Sequence, residues 1–160
     1  MVVEHPTLEE TAAFAGMLHA RQTDKAGAPY LGHLARVSRH LLRLFPDATV
    51  AERHAAWLHD AIEDTPTTAA DLLERGYGAD IVAIVTALTK TESGSSYQDW
   101  IEQMAASGFV PAMRVKLADL SDNSDPARLA QLPPDRAASL AARYERAKET
   151  LVAALDTLGG

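Results

Sequence analysis

The chain has no cysteine, which excludes disulfide staples and thiolate metal sites, so any bound metal must take nitrogen and oxygen ligands. It also lacks an apolar run of the roughly eighteen residues that a membrane helix needs. Its start, Met1-Val2-Val3-Glu4-His5-Pro6, has neither the basic nor the apolar segment of a secretory signal. A cytoplasmic protein with no membrane attachment is expected. Positive charge is scarce, with 15 Lys and Arg against 22 Asp and Glu and a net charge of -7. That argues against nucleic-acid binding, because affinity for a long polyanion comes from clustered cations. Locally the balance reverses: between 21 and 43, Arg21, Lys25, Arg36, Arg39 and Arg43 stand against the single acid Asp24. Such a stretch reads either as a solvated helix face or as one turned toward a small phosphorylated ligand.

What is present suits one globular domain spanning 1–160, with 47% hydrophobic and 23% charged residues. Apolar residues recur at helical spacing. Leu34, Val37, Leu41 and Leu44 form one stripe after Pro29, and Ala51, Ala55, Leu58 and Ile62 form another. Thr67 and Thr68 can cap a short helix through Leu72 and Leu73 that Gly76-Tyr77-Gly78 stops. Ser93-Gly94-Ser95-Ser96 reads as a loop before a helix carrying Trp100, Ile101 and Met104, which Gly108 ends. After Pro133-Pro134-Asp135, the residues Leu140, Tyr144, Ala147, Leu151, Leu155 and Leu158 line one face of a long C-terminal helix. Two segments stay open between helix and strand: Ile81 to Leu88 is rich in β-branched residues, and Met113, Val115 and Leu117 alternate.

The chemistry concentrates in Leu58-His59-Asp60-Ala61-Ile62-Glu63-Asp64. On a helix, His59 and Glu63 share a face across one turn, as do Asp60 and Asp64. Acids gathered beside a core are costly unless paired or bound to a cation, and a divalent metal answers for several at once. His59 and Asp60 suit ligation; Glu63 and Asp64 suit orienting water and moving protons. Two adjacent residues cannot complete a coordination sphere, so ligands from other helices are required. His33, at the margin of its apolar stripe, and Asp119, ending Val115-Lys116-Leu117-Ala118, are the candidates. The remaining His5, His19, His40 and His54 have no partner pattern and are expected at the surface or at helix interfaces, while Trp57 and Trp100 are expected to pack.

Taken in order, Tyr30-Leu31-Gly32-His33, His59-Asp60-Ala61-Ile62-Glu63-Asp64 and Lys116-Leu117-Ala118-Asp119 with Asn123 resemble the HD-domain phosphohydrolases. More narrowly they are similar to the alarmone hydrolases of the Rel/Spo family and its small stand-alone relatives. The resemblance spans roughly residues 15 to 125 and weakly includes Arg143-Tyr144. It implies an all-α, single-domain helical bundle and a Mn²⁺ ion, with Fe²⁺ and Zn²⁺ as the alternatives. It also implies hydrolytic removal of the 3′-pyrophosphate from a ppGpp-like nucleotide. Carried over by position, His33, His59, Asp60 and Asp119 are the metal ligands, and Glu63 and Asp64 handle the attacking water. Asn123, Lys25 and Tyr144 then match contacts to the nucleotide.

Two departures concern the nucleotide. Where the family commonly has an Arg that contacts the base, this chain has Asp24; an acid there is expected to repel phosphate and alter base recognition, which makes ppApp an alternative substrate. The family's Asp-Arg-x-His-Asn is here Asp119-Leu120-Ser121-Asp122-Asn123, without its basic residues. Beside alarmone hydrolysis stand a phosphomonoesterase or phosphodiesterase acting on another nucleotide with the same metal site, and a non-catalytic nucleotide-binding module with a structural metal. The presence of both Glu63 and Asp64 disfavours the last, since a structural site has no need of them.

Overall fold

The computed structural model describes residues 4–91 and 94–159, and every regular element among them is a helix. Ser93, at the start of the expected loop, lies outside the described residues. The helices are α1 (Leu8–Leu18), α2 (Tyr30–Leu44), α3 (Val50–Leu58), α4 (Ala61–Asp64), α5 (Ala69–Glu74), α6 (Ala79–Ala87), α7 (Tyr97–Ser107), α8 (Val110–Asn123), α9 (Pro126–Leu129) and α10 (Pro134–Thr157). Their starts follow from capping chemistry. Thr49 with Glu52, Thr68 with Asp71 and Ser96 with Asp99 form reciprocal boxes at α3, α5 and α7, each satisfying backbone N–H groups that a helix start leaves free. Gly108 ends α7 in the left-handed conformation, with φ 70°, where a side chain would be strained.

Both ambiguous segments are helical: Ile81 to Leu88 forms α6 with its cap, and Met113 to Leu117 lies inside α8. The β-branched residues of α6 are tolerated because Ile81, Val82, Ile84 and Val85 are all buried, so packing outweighs a helix-propensity cost of a few tenths of a kcal/mol per residue. Val37 and Leu41 of α2 meet Met113, Val115 and Leu120 of α8 in the same core as Ala55, Leu58, Val85, Ile101 and Leu151. Leu44 and Leu158 are exceptions to their stripes, being 42% and 50% exposed where their helices run out.

Helix α2 packs closely on α8 and on α3, while α10 lies against α7 and α8. This arrangement brings the first turn of α2, the α3–α4 junction and the C-terminal half of α8 to one place. A loop between α1 and α2, closed by backbone pairing of Thr23 with Pro29, folds over the same end.

Two histidines expected at the surface or at helix interfaces are buried in polar networks. His54 meets Thr11 at 2.8 Å, and Thr11 in turn meets the Tyr77 hydroxyl at 2.8 Å. His19 is 2% exposed and holds Gln22, whose side-chain amide donates to the Asp64 carbonyl oxygen. Trp100 packs against the core, as expected. Among the described residues no helix is long and apolar enough to cross a membrane.

Candidate metal centre and its cleft

The unbroken helix implied by the spacing of His59, Asp60, Glu63 and Asp64 is interrupted at the His-Asp pair. His59 is the C-cap of α3, and Asp60, at φ -101° and ψ 2°, precedes α4. A helix end leaves carbonyls without intrahelical donors, and one of them, on Ala56, accepts a 2.8 Å hydrogen bond from His59 Nδ1. That contact turns Nε2 of the ring the other way, toward α2 and α8.

The four sequence-predicted ligands come together there. His33 Nε2 is 3.0 Å from Asp119 Oδ1, and His59 Nε2 is 3.2 Å from the same oxygen. His59 Nε2 also lies 3.0 Å from Asp60 Oδ2, and donor atoms of His33, His59 and Asp60 fall within 4.8 Å of one another. His33, His59 and Asp119 are buried, and Asp60 is half-buried at the cleft floor. Asp119 is held from outside as well: Lys116 Nζ donates to its Oδ2 at 2.8 Å and Asn123 Nδ2 to its Oδ1 at 3.2 Å. The Tyr30 hydroxyl donates to Asp60.

The electrostatics of this cluster call for positive charge. Burial opposes protonation of both imidazoles, but it is outweighed: Asp60 and Asp119 raise His59 well above its ordinary value, and Asp119 with Asp122 raises His33. Burial likewise works against ionisation of the acids, yet His59, helped by the Tyr30 hydroxyl, holds Asp60 down at about 2, and Lys116 and His59 hold Asp119 well below the usual carboxylate range. A set of imidazole nitrogens and carboxylate oxygens, desolvated and with His59 Nδ1 held by the Ala56 carbonyl and His33 Nδ1 by the Asp122 carboxylate, fits a divalent cation of the Mn²⁺, Fe²⁺ or Zn²⁺ class. His33, His59, Asp60 and Asp119 could hold it.

Glu63 and Asp64 stand exposed beside the floor, and with Asp60 they too have oxygens within 4.8 Å of one another. Glu63 Oε1 accepts the Lys90 backbone N–H at 2.7 Å. Desolvation by the cleft walls, followed by the negative charge of Asp60, raises both carboxyls above their ordinary values. A carboxylate so shifted accepts a proton more readily than a solvated one.

Above the floor opens a cleft of about 310 Å³ lined by the loop 23–26, by Tyr97 and Lys116, by Asn123 and Arg128, and by Arg143 and Tyr144 of α10. Lys25 Nζ donates to the Tyr144 hydroxyl at 2.9 Å, so the two predicted nucleotide contacts meet each other across 119 residues of sequence. Asn123 lines the cleft while steadying Asp119. Of the other cations in the cleft, Lys116 is tied to Asp119 and lies over the rings of Trp100 and Tyr97, and Arg128 faces Asp24 at 3.0 Å. Lys25 and Arg143 have no carboxylate at ion-pair distance among the described residues, Arg143 lying over the Tyr97 ring.

Asp24 is engaged within the protein. Its Oδ1 accepts the backbone N–H groups of Ala26 and Ala28 at 2.9 and 3.0 Å, and its Oδ2 faces Arg128 at 3.0 Å and Arg36 at 3.8 Å. Burial opposes its ionisation, but the Ala28 N–H and Arg128 lower its pKa. The carboxylate thus shapes the loop and faces two guanidinium groups that it shares with Asp122, and these ion pairs weigh against the repulsion of phosphate expected at this position.

Comparison with known proteins agrees with this geometry. The HD-domain family pattern matches residues 11–143. The chain is 34% identical over 120 residues to the guanosine-3′,5′-bis(diphosphate) 3′-pyrophosphohydrolase MESH1 of Homo sapiens, covering 72% of this chain and 66% of that one. It is 39% identical over 88 residues to the MESH1 of Danio rerio, covering 54% and 48%. It is also 32% identical over 140 residues to the bifunctional (p)ppGpp synthase/hydrolase SpoT of Escherichia coli, covering 83% and 18%. The matches thus span about half to two thirds of these MESH1 relatives and under a fifth of SpoT. The solved structure of a metazoan SpoT orthologue that hydrolyses ppGpp superposes with a TM-score of 0.77 at 24% identity, covering 92% of this chain and 88% of that one, and shares the fold.

Proposed function

This chain belongs to the HD-domain family, and from that premise we propose that it hydrolyses the 3′-pyrophosphate of a guanosine or adenosine alarmone with Mn²⁺ at its centre. The observation that carries the reading is the convergence of His33 Nε2 and His59 Nε2 on one Asp119 oxygen, with Asp60 3.0 Å from His59, at the floor of a cleft lined by Lys25 and Arg143, which have no carboxylate at ion-pair distance among the described residues. The names of the relatives support the substrate class.

His33, His59, Asp60 and Asp119 would hold a divalent metal, which when bound would supply Lewis-acid chemistry and make water more acidic. Glu63 and Asp64, exposed to the cleft and raised above ordinary carboxyl values, take the proton of the attacking water; the two share that role in this reading. Lys25 and Arg143 provide counter-charge for the phosphate chain. Tyr144 contributes a ring against the nucleoside, and the Tyr30 hydroxyl fixes Asp60. Lys116 and Asn123 act through Asp119, keeping its carboxylate ionised and oriented.

The test is a substrate panel. Mn²⁺-loaded protein incubated with ppGpp, ppApp and simple nucleoside monophosphates should release pyrophosphate from at least one alarmone. Release of orthophosphate from the monophosphates with both alarmones untouched would overturn the assignment.

A further inference from the structure

The two imidazoles at the centre are anchored differently on the side away from it. His59 Nδ1 donates to a backbone carbonyl, that of Ala56. His33 Nδ1 instead donates to a carboxylate, Asp122 Oδ2, at 2.6 Å. Asp122 is 0% exposed, and its other oxygen accepts from Arg36 Nε at 2.6 Å. Arg128 Nε stands 3.6 Å from Oδ2, and His40 Nε2 stands 3.9 Å from Oδ1. A buried carboxylate is retained only where such partners surround it. Here the partners come from α2 and α9, while Asp122 itself is on α8.

We propose that Asp122 is a positioning residue for the metal centre: it locks His33 with the proton on Nδ1 and Nε2 directed to the site, and it ties that ring to the cleft loop. This rests on the reading of His33 as a metal ligand. Because a neutral imidazole carries one N–H, a carboxylate accepting from Nδ1 selects the tautomer whose Nε2 lone pair is free to ligate. The same carboxylate fixes the ring plane and makes the ligand more basic. The tie to the loop runs through Arg36 and Arg128, both of which also face Asp24, at 3.8 and 3.0 Å. Asp24 in turn holds the turn that carries Lys25, through the N–H groups of Ala26 and Ala28. One chain of charges therefore connects the back of His33 to the loop that presents Lys25 to the cleft.

The experiment measures Mn²⁺ affinity, by the free-ion electron paramagnetic resonance signal, for the wild type and for His33→Ala, Asp122→Asn and Asp122→Leu. Asn keeps the size of Asp and removes its charge; Leu removes the acceptor as well. In parallel, the ring-nitrogen chemical shifts of His33 are recorded in Zn²⁺-loaded protein. The expected result is a graded loss, about tenfold for D122N and approaching a hundredfold for D122L. The His33 shifts should report Nδ1 protonation in the wild type and a changed pattern in D122N. Loss in His33→Ala together with D122N affinity within about twofold of wild type and unchanged His33 shifts would overturn the positioning role while leaving the metal centre standing. Unchanged affinity in His33→Ala would overturn the metal-centre reading and this inference with it. If D122L does not fold, D122N still decides between these outcomes.

Discussion

Replacing Glu63 by Gln and Asp64 by Asn should stop turnover while leaving the fold intact, because neither side chain helps hold the molecule together. Both are exposed. The contact that Glu63 makes, acceptance of the Lys90 N–H at 2.7 Å, is one that a Gln carbonyl oxygen retains. Asp64 engages the fold through its backbone carbonyl, which accepts from Gln22. The double substitution also relieves repulsion from Asp60, which raises both carboxyls. Stability should therefore change by no more than about 0.5 kcal/mol, a Tm shift of about 2 °C or less for a chain of this size. The rate should fall by the contribution of general-base catalysis, about 10²–10⁴-fold, equivalent to about 2.7–5.5 kcal/mol in the barrier. The assay is pyrophosphate release from the preferred alarmone at saturating Mn²⁺, with occupancy verified for each protein. A fall of less than about tenfold at full occupancy would refute the role given to these acids.

Three further outcomes follow from the same geometry. Mn²⁺ at about 100 times its Kd should stabilise the protein by about 2.7 kcal/mol, raising Tm by about 5–10 °C; a chelator should reverse the shift, and an absent shift would count against the centre. The raised values of His33 and His59 set a pH dependence: the stability that their protonated forms lend to metal-free protein is present below 6.5 and is lost as pH climbs through the shifted values. Burial lowers the values of His40 and His54, so they work in the opposite sense, costing stability as pH falls. The Tm of metal-free protein should decline above pH 6.5 while the increment from Mn²⁺ grows, since uptake expels those protons; calorimetry in two buffers of different ionisation enthalpy reads the release. Lys25→Met removes a charge that faces the cleft and its bond to Tyr144, so KM for the alarmone should rise about tenfold or more with kcat less affected; an unchanged KM would remove Lys25 from the site.

Much of the candidate site was legible in the sequence because its donors are chemically unusual residues on apolar stripes: a His beside Leu34 and an Asp after Leu117-Ala118 have few reasons to be buried. The interruption at His59-Asp60 was not legible, since four-residue spacing describes a continuous helix and is blind to a side chain that bonds a carbonyl of its own last turn. The partners of Asp24 were not legible for a related reason. Its charge is set by Arg36 and Arg128, and no local pattern shows that Arg128, 104 positions away, returns to it. Asp122 was read in the sequence only within a stretch that lacks the family's basic residues, because its partners come from α2 lying alongside and from α9, which the spacing on α8 does not show. Helix against strand at Ile81–Leu88 and Met113–Leu117 was settled by burial on several sides, which periodicity over so few residues cannot resolve.

The most direct test of the central claim is anomalous diffraction at the manganese edge from crystals grown with Mn²⁺. A single strong peak bonded by His33 Nε2, His59 Nε2 and oxygens of Asp60 and Asp119, at about 2.0–2.3 Å, is the predicted result. A peak elsewhere on the surface, or no peak at millimolar Mn²⁺, would contradict it.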